Sequence, residues 1–301
     1  MTVVPQAEPE QTVAERLRLR LGQLTPAERK VARSLMADYP VAGLVPIARL
    51  SAVSGVSAPT VVRLVAKLAF ASYADFQQSL KSEVSARLSS PLQMHAGRPE
   101  SDREGELTRT DALSRTEALL TGGISASFAR VPPAEFEQAI ALITDPRRSV
   151  SLVGGRFSSM LADYLAAHLR ILRPGVHLIP AAGADRISSI LDLGRRDVLV
   201  AFDYRRYQHD TVRLAAAAKE QGATVIVFTD PYLSPLSAHA DVILTSSVQS
   251  PSPFDALTPA VALVEALVAA VMDRLGDLPR PRMARYDALY DGTIGGLREE
   301  S

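Results

Sequence analysis

The stretch PIARLSAVSGVSAPTVVRLVAKLAF, residues 46–70, contains two helical patterns separated by a turn. The first pattern repeats apolar residues at the spacing of one helical face: Ile47, Leu50 and Val53. The second repeats them at i, i+3, i+4 and i+7, a stripe that a helix buries: Val61, Leu64, Val65 and Leu68. Gly55 can adopt the left-handed conformation of a tight turn, Val56 can fill that turn from inside, and Ser57 is placed to cap the second helix.

The second of these helices also carries a polar face. Thr60, Arg63 and Lys67 are three and four residues apart and therefore share it. Two short helices joined by a glycine-containing turn are the helix-turn-helix pattern, in which the second helix enters the DNA major groove. Such a helix needs donors for base edges and cations for phosphates. A plain helical bundle is the alternative, in which Arg63 and Lys67 are solvated side chains.

Another helix is predicted ahead of this pattern, in TPAERKVARSLMADYP, residues 25–40. Thr25 is placed to cap it, Pro26 suits the first helical position, and Glu28 completes a capping box. Residues 1–88 carry 11 Lys and Arg against 7 Asp and Glu, although the formal net charge of the whole chain is zero. This basic balance indicates an anionic partner, or is an ordinary fluctuation.

Composition narrows the class of protein. The 301 residues suffice for about two domains. The chain has no cysteine, which excludes disulfides and thiolate metal sites and is typical of cytoplasmic proteins. It contains no apolar run long enough for a membrane span, and its N-terminus lacks the pattern of a signal peptide. The five histidines have no paired ligand spacing, so we expect no metal site. Because the sequence has no apolar span, we also expect no membrane contact.

From residue 149 onward, short apolar runs alternate with helical patterns. The runs predicted as strands are residues 149–153, 176–180, 197–202, 223–229 and 241–245. Continuous apolar strands favour a parallel sheet with helices on both faces, so this part is predicted as α/β with five parallel strands. Among the helices, we expect ISSILDL at 187–193 and a long closing helix over 255–275, with Asp255 as a cap near its N-terminus.

The predicted boundaries follow the changes in composition. An all-α helix-turn-helix domain is expected at 12–88, and the α/β domain at 133–275. Residues 89–132 begin with a stretch rich in Ser, Pro, Gly and charge and are predicted to be a linker, with a helix at about 111–121 that the following TGG weakens. Residues 276–301 are expected to form a tail that is flexible or covers a partner.

Ligands of parallel α/β sheets bind beyond the carboxyl ends of the strands, next to helix N-termini. The segment GGRFSS, residues 154–159, follows the first strand but is not a GxGxxG fingerprint, so we expect no dinucleotide and no other cofactor. The segment DYRRYQHD, residues 203–210, follows the third strand. The guanidiniums of Arg205 and Arg206 can clamp a phosphate or carboxylate, with Arg156 as a further candidate.

The role of the segment 203–210 has two possible interpretations. Tyr204 and Tyr207 can stack on a ring or hold a hydroxyl of a ligand. Alternatively, the two arginines pair with Asp203, with Asp210 or with a partner subunit, and bind nothing.

Three segments, LTPAERKVA, GVSAPTVVRLVAKLAF and SYADFQQSLKSE, resemble in order and spacing the N-terminal domain of the RpiR/MurR family of bacterial transcriptional regulators. The resemblance covers residues 12–88 and implies contact with double-stranded DNA. The residues that it implicates in this contact are Ser57, Thr60, Val62, Arg63 and Lys67. Relatives usually carry glycine where this chain has Ala69, a difference that affects the end of the second helix.

The segments VSLVGGRFSSMLADYLAAHL, DVLVAF and GATVIVFTDPYLSPLSAHADVIL resemble a sugar isomerase (SIS) domain, the usual C-terminal partner in this regulator family. In SIS domains the loop after the third strand usually reads Ser-x-Ser-Gly-x-Thr-x-Glu, and its hydroxyls hold a sugar phosphate. This chain carries other residues at those five positions: Asp203, Arg205, Arg206, Gln208 and Asp210. The hydroxyls that hold a phosphate are therefore missing.

These observations together predict a regulator that binds double-stranded DNA as a homodimer or higher homo-oligomer and senses a small anionic metabolite, such as a phosphosugar or sugar acid. The expected effector-binding residues are Gly155, Arg156, Ser158, Asp203, Tyr204, Arg205, Arg206 and Gln208. Two alternatives remain: an enzyme of the sugar-phosphate isomerase type, with Asp210 or Glu265 as general base, and a dimeric DNA-binding protein without an effector.

Overall fold

The computed structural model describes residues 11–88, 90–96, 109–180 and 183–293. The helices are α1 (Val13–Arg20), α2 (Pro26–Ala37), α3 (Ile47–Ser54), α4 (Ala58–Lys67), α5 (Tyr73–Leu88), α6 (Pro91–Ala96), α7 (Arg109–Arg130), α8 (Pro133–Thr144), α9 (Ser159–Leu172), α10 (Ala184–Ser188), α11 (His209–Glu220), α12 (Thr258–Leu275) and α13 (Arg280–Thr293). The strands are β1 (Ser149–Gly154), β2 (Val176–Leu178), β3 (Asp197–Phe202), β4 (Thr224–Thr229) and β5 (Val242–Thr245). None of the helices in these ranges is long and apolar enough to cross a lipid bilayer.

Helices α1–α5 surround one apolar core, as the helical patterns predict. The expected stripe of α4 is buried in this core. Thr25 and Glu28 form the predicted capping box at the start of α2, with Pro26 as its first residue. Gly55 ends α3 in the left-handed conformation at φ 62°, and Val56 packs against the core from within the turn. The N-terminal domain therefore contains the predicted helix-turn-helix.

The end of α4 carries a strained residue. Ala69 has φ 62°, a left-handed conformation that glycine adopts without steric cost. Its N–H donates to the carbonyl of Ala66 at 2.9 Å, and the N–H of Phe70 donates to the carbonyl of Val65 at 3.2 Å. This pair of bonds is the Schellman motif, which closes a helix through a left-handed residue. The chain thus keeps the geometry of the glycine-terminated helix with an alanine in its place.

The C-terminal domain is a five-stranded parallel sheet in the order β2-β1-β3-β4-β5, which confirms the predicted fold class. Apolar residues of α8, α9 and α12 cover one face of the sheet, and those of α11 cover the other. The strand order reverses between β1 and β3, because β2 lies on one side of β1 and β3 on the other. This point, where the connections leave toward opposite faces, is where such sheets form a ligand crevice.

The structure corrects the expected linker. Helix α7 runs without a break through Gly122 and Gly123, whereas the sequence predicted a shorter helix that ends near them. A side chain at Gly123 would place its Cβ 3.2 Å from Pro259, so the glycine allows α7 to pack closely on α12. The hydroxyl of Ser127 in α7 accepts from the backbone N–H of Ser247 at 2.9 Å. Helix α7 therefore packs with the sheet domain instead of joining two domains loosely.

Three other expectations in the C-terminal domain are wrong in detail. The helix predicted at 187–193 is replaced by the single turn of α10, since the hydroxyls of Ser188 and Ser189 donate to the carbonyl of Asp185 and compete with helical bonds. The closing helix α12 begins at Thr258, and Asp255 does not cap it. The segment predicted as a tail contains α13, in which Arg282 donates to the carbonyl of Arg170 in α9 at 2.7 Å.

Polar side chains join the two domains. Arg18 pairs with Glu135 at 2.9 Å, and Arg130 pairs with Glu15 at 3.3 Å. The hydroxyl of Thr12 donates to the carbonyl of Pro231 at 2.9 Å. These contacts hold the helix-turn-helix domain against α7, α8 and the loop that follows β4.

Ala69→Gly is expected to raise the free energy of unfolding by about 1 kcal/mol, because it relieves the left-handed strain. Ala66→Gly is the matched control, since Ala66 is exposed in the last turn of the same helix, where its backbone is helical. There the added flexibility lowers stability by roughly 0.5–1 kcal/mol. Urea unfolding followed by far-ultraviolet circular dichroism compares the two variants. A loss of stability in both would contradict the assignment of strain to Ala69.

Candidate effector site and DNA-facing helix

A cavity of about 500 Å³ opens at the carboxyl ends of β1 and β3, where the strand order reverses. The structure brings all eight predicted effector-binding residues together around it: Gly155, Arg156, Ser158, Asp203, Tyr204, Arg205, Arg206 and Gln208. It adds five lining residues that the sequence did not indicate: Phe157, Met160, Phe254, Asp255 and Leu257. That these residues bind an effector remains a prediction.

The loop after β1 forms one wall of the cavity. A Cβ on Gly154 would lie 2.4 Å from the Cα of Ser159, so only glycine lets the strand turn this tightly into α9. The Ser158 hydroxyl donates to the carbonyl of Phe202 at 2.7 Å and accepts from the N–H of Gly155 at 2.9 Å. These two bonds hold the end of β1 to the end of β3. Ser158 is the one serine among the cavity-lining residues, and its hydroxyl proton is already donated within the protein.

Asp203 is the first residue after β3 and is only 1% exposed. The hydroxyl of Ser234 donates to one of its oxygens, and the N–H of Gln208 donates to the other at 3.3 Å. Burial raises the pKa of Asp203 to about 7, and the nearby Asp230 and Asp210 act in the same direction, while the bonds from Ser234 and Gln208 oppose it. The carboxyl therefore changes charge close to neutral pH.

Arg205 forms an ion pair with Asp255 and not with Asp203 or Asp210, the acids considered from the sequence. The two side chains are 10% and 19% exposed. The guanidinium also lies over the ring of Tyr232, 5.7 Å from its centroid. The structure thus gives Arg205 an acidic partner within the protein, and the clamp of Arg205 and Arg206 on a ligand remains a prediction.

Arg156 and Arg206 lie at the mouth of the cavity, where both are exposed. Their guanidiniums lie 5.2 and 5.7 Å from the centroid of the Phe157 ring. Neither forms an ion pair with any residue in the described ranges. Arg206 has φ 64°, so it keeps the left-handed backbone at the position where SIS domains usually carry glycine. These two cations are available to an anion that approaches from solvent.

The two tyrosines of the loop are engaged by the protein. Tyr204 is 7% exposed and its hydroxyl bonds to that of Ser246 at 2.9 Å. Tyr207 donates to Asp230 at 2.9 Å and is not among the cavity-lining residues. The exposed aromatic rings at the cavity belong instead to Phe157 and Phe254. The sequence signal for Phe254 is weak, since it lies in a turn-rich segment ahead of α12.

The predicted DNA-contacting residues at the start of α4 and along it differ in how far solvent reaches them. Ser57, Val62 and Arg63 are exposed, whereas Thr60 is only 5% exposed, although the sequence placed it on the outer face. The Thr60 hydroxyl accepts from Arg63 at 3.1 Å and bonds to the Ser57 hydroxyl at 3.1 Å, so it orients its exposed neighbours. Ser57 occupies the N-cap position, but its side chain does not bond to the helix backbone as expected. Lys67 pairs with Glu28 of α2 at 2.7 Å.

The two acids considered as general bases lie outside the cavity lining. Asp210 pairs with Arg186 at 3.4 Å, and Glu265 accepts from Tyr164 at 3.2 Å. Asp203, not considered for this role from the sequence, lines the cavity. Within the described ranges, no group of three or more histidine or acidic side chains is arranged to hold a metal ion.

Two family models match the chain in sequence. Residues 11–87 match the helix-turn-helix domain of the rpiR family, and residues 142–270 match the SIS domain. The chain therefore contains an rpiR-family helix-turn-helix domain followed by a SIS domain.

Bacterial proteins named "Bifunctional protein glk" are similar in sequence. Those of Burkholderia mallei and Paraburkholderia xenovorans are each 29% identical over 242 residues, which is 77% of this chain. The chain spans about a third of the length of these curated relatives, 34% of the first and 35% of the second.

Two solved structures share the fold. The RpiR transcription factor from Sphaerobacter thermophilus (sugar isomerase domain) has a TM-score of 0.55 at 22% identity, covering 58% of this chain and 98% of that one. The Vibrio vulnificus NanR protein complexed with ManNAc-6P has a TM-score of 0.51 at 16% identity, covering 93% of this chain and 98% of that one. The likeness to NanR extends over both domains.

Asp203→Asn is expected to stabilise the protein at pH 8 more than at pH 4. The raised pKa means that the folded state holds a proton that the unfolded state releases, so stability is lost as pH rises from about 4 through about 7. Asparagine removes this dependence, a difference on the order of 2–4 kcal/mol at pH 8. Thermal unfolding across this pH range measures it.

Asp273→Asn serves as the control for this experiment, because Asp273 is exposed on α12. Parallel pH profiles for wild type and Asp203→Asn would show that folding does not shift the pKa of the Asp203 carboxyl and would refute the prediction.

Proposed function

We propose that the protein is a DNA-binding transcriptional regulator controlled by a small anionic metabolite that binds in the cavity between β1 and β3. The observation that carries the proposal is the pair Arg156 and Arg206 at the mouth of the cavity, without acidic partners in the described ranges. This cavity lies in a chain whose other domain is an rpiR-type helix-turn-helix. NanR, which shares the fold, was solved with ManNAc-6P.

In this proposal the two guanidiniums hold the phosphate or carboxylate of the effector, since arginine forks match the oxygens of both groups. Phe157 and Phe254 offer apolar faces to the carbon skeleton. Gln208 and Asp203 provide polar groups for hydroxyls. A phosphosugar and a sugar acid both fit this arrangement, as both combine one anionic group with several hydroxyls.

The DNA-binding surface in this proposal is the exposed side of α4. Arg63 and Val62 reach base edges or phosphates, and Ser57 approaches the backbone at the start of the helix. One helix-turn-helix makes few contacts, so two copies that bind two half-sites are expected. The protein then acts as a homodimer or higher homo-oligomer in the cytoplasm, with double-stranded DNA as its partner.

Contacts between the domains support a direct effect of the effector on the DNA-binding domain. Arg87, near the end of α5, lies over the ring of Tyr207, 5.2 Å from its centroid, and donates to the carbonyl of Leu233. It also donates to the carbonyl of Tyr39 at 3.1 Å, which anchors it in the helical domain. Tyr207 directly follows Arg206. An anion that moves Arg206 therefore shifts the residue on which the DNA-binding domain rests, and biases the population of DNA-competent dimers.

An enzyme of the isomerase type is the second candidate, and Asp203 is the observation that favours it. A cavity-lining carboxyl with a pKa near 7 is suited to general acid–base catalysis. The resemblance to the glk proteins favours neither candidate, since the chain spans about a third of their length. Incubation of the purified protein with aldose and ketose phosphates, followed by product analysis, decides between the two candidates. Interconversion that Asp203→Asn abolishes would favour the enzyme.

Selection of genomic DNA fragments by the purified protein tests the regulator. We expect one enriched site with two half-sites, and Arg63→Ala should weaken binding to it by about 10-fold or more. Arg213→Ala, an exposed arginine on α11, removes the same charge from the other domain and should leave affinity within about 2-fold. Equal, salt-sensitive binding to all fragments would indicate that α4 does not read sequence.

Calorimetry with a panel of sugar phosphates and sugar acids tests the effector site. For any ligand that the wild type binds, Arg156→Ala and Arg206→Ala should each weaken affinity by about 10-fold or more, because each loses a charge-assisted hydrogen bond. Arg213→Ala again controls for net charge. Ligand binding that survives both substitutions would place the anion elsewhere, and the absence of binding across the panel would favour the effector-free DNA-binding protein.

A further inference from the structure

The cavity contains three guanidiniums, but only two of them face solvent without a counter-ion. Arg156 and Arg206 are exposed at the mouth. Arg205 lies deeper, with its side chain 10% exposed and paired with Asp255. Its Nε is buried and has no hydrogen-bond partner among the described residues. Arg205 is therefore a largely buried cation that lines the cavity and still has an N–H group free to donate. Its charge is balanced by Asp255.

Asp255 is held in place by its own loop. The N–H of Ala256 donates to the carbonyl of Val248 at 3.2 Å, which fixes the backbone next to Asp255. The N–H of Phe254 donates to the hydroxyl of Ser252 at 3.2 Å on the other side. Asp255 also lines the cavity, so its carboxylate stands where a ligand anion would otherwise meet Arg205. The sequence predicted a helix cap at this residue, and the structure gives the carboxylate a different partner.

The deep end of the cavity is consequently not positive. Asp255 balances Arg205, and a second buried carboxyl, that of Asp203, also lines the cavity. The only serine hydroxyl among the lining residues, that of Ser158, already donates to Phe202. The groups that remain for a ligand at this end are carboxylate oxygens and the amide of Gln208, which suit hydroxyl groups. A second phosphate or carboxylate placed there would face carboxylates in a poorly solvated site.

We propose that Asp255 is a specificity-determining residue, which occupies Arg205 and so restricts the effector to molecules with one anionic group. The inference rests on the proposed effector site and sharpens it. The effector class is a polyhydroxy compound with a single anionic group, such as a sugar monophosphate or a sugar acid, oriented with that group toward Arg156 and Arg206 and its hydroxyls toward the deep end. Sugar bisphosphates and dicarboxylates are excluded by the internal carboxylate.

Asp255→Asn in the full chain tests this assignment, with glucose 6-phosphate and glucose 1,6-bisphosphate as matched probes that differ by one phosphate. The substitution keeps the size of the side chain and frees the charge of Arg205. Calorimetry should show that the variant binds the bisphosphate about 10-fold or more tightly than the wild type does, the gain of one charge-assisted bond. The monophosphate should not share this gain, because its single phosphate binds Arg156 and Arg206 and does not reach Arg205.

A second variant separates this effect from a general loss of structure. Arg205→Gln combined with Asp255→Asn removes both members of the ion pair and should show no gain for the bisphosphate. Inorganic phosphate provides a smaller probe: it should raise the melting temperature of Asp255→Asn more than that of the wild type or of the double variant, in which only Arg156 and Arg206 remain to bind it. Asp273→Asn on α12 controls for the lost negative charge.

Each outcome bears on the assignment. Absence of bisphosphate binding by Asp255→Asn, an equal gain for both sugar phosphates, or a gain retained in the double variant would overturn it. None of these measurements uses DNA, so failure of the proposed regulatory function leaves them intact. If the wild type binds no monophosphate while Asp255→Asn gains bisphosphate binding through Arg205, the role of Asp255 stands and the proposed effector falls.

Discussion

The parallel pairing of β1 with β3 is the constraint on which the C-terminal domain depends. Ser149–Gly154 pairs in register with Asp197–Phe202, so both strands end at the same edge of the sheet. The chain then leaves them toward opposite faces, with α9 on one and α11 on the other. A crevice between the two strand ends follows from this topology. The Ser158 hydroxyl, bonded to both strand ends, closes its floor.

Charge in this crevice is distributed by depth. The buried groups compensate one another, as Arg205 does with Asp255 and as Asp203 does with its hydrogen-bond donors. The uncompensated cations, Arg156 and Arg206, are those that solvent reaches. Desolvation explains this arrangement, because the free-energy cost of an unpaired charge is far higher in the interior than at the surface. The positions of the arginines relative to solvent, and not their number, therefore define what the cavity can bind.

The same loop serves the contact between the two domains. Arg206 faces the cavity while the next residue, Tyr207, lies under Arg87 of the helical domain and bonds to Asp230. Thr12 at the start of α1 bonds to Pro231 in the neighbouring loop. The loop after β3 thus lines the cavity, and together with the loop after β4 it forms the surface on which the helix-turn-helix domain rests. The proposed regulation therefore has a short physical path.

Periodicity alone determined most of the secondary structure. The stripe of α4, the turn at Gly55, the capping box of α2 and the five strands are all marked by residue types that recur at short spacing, which a local pattern records. The errors lie where distant residues decide. Helix α7 continues through Gly122 and Gly123 because it packs on α12, and Asp255 pairs with Arg205 instead of capping α12.

The candidate site, like the secondary structure, was predictable from the sequence only in part. The sequence by itself determined that GGRFSS and DYRRYQHD lie at strand ends of one sheet edge, because the alternation of strands and helices fixes where those ends fall. Only the tertiary structure decided which side chains face the cavity, which are committed to partners and which remain for a ligand. Thr60 is buried, Tyr204 and Tyr207 bond to residues of other loops, and Asp255 reaches Arg205 across fifty positions of sequence. Pairings over such separations depend on how elements pack, and packing leaves no local pattern from which they can be read.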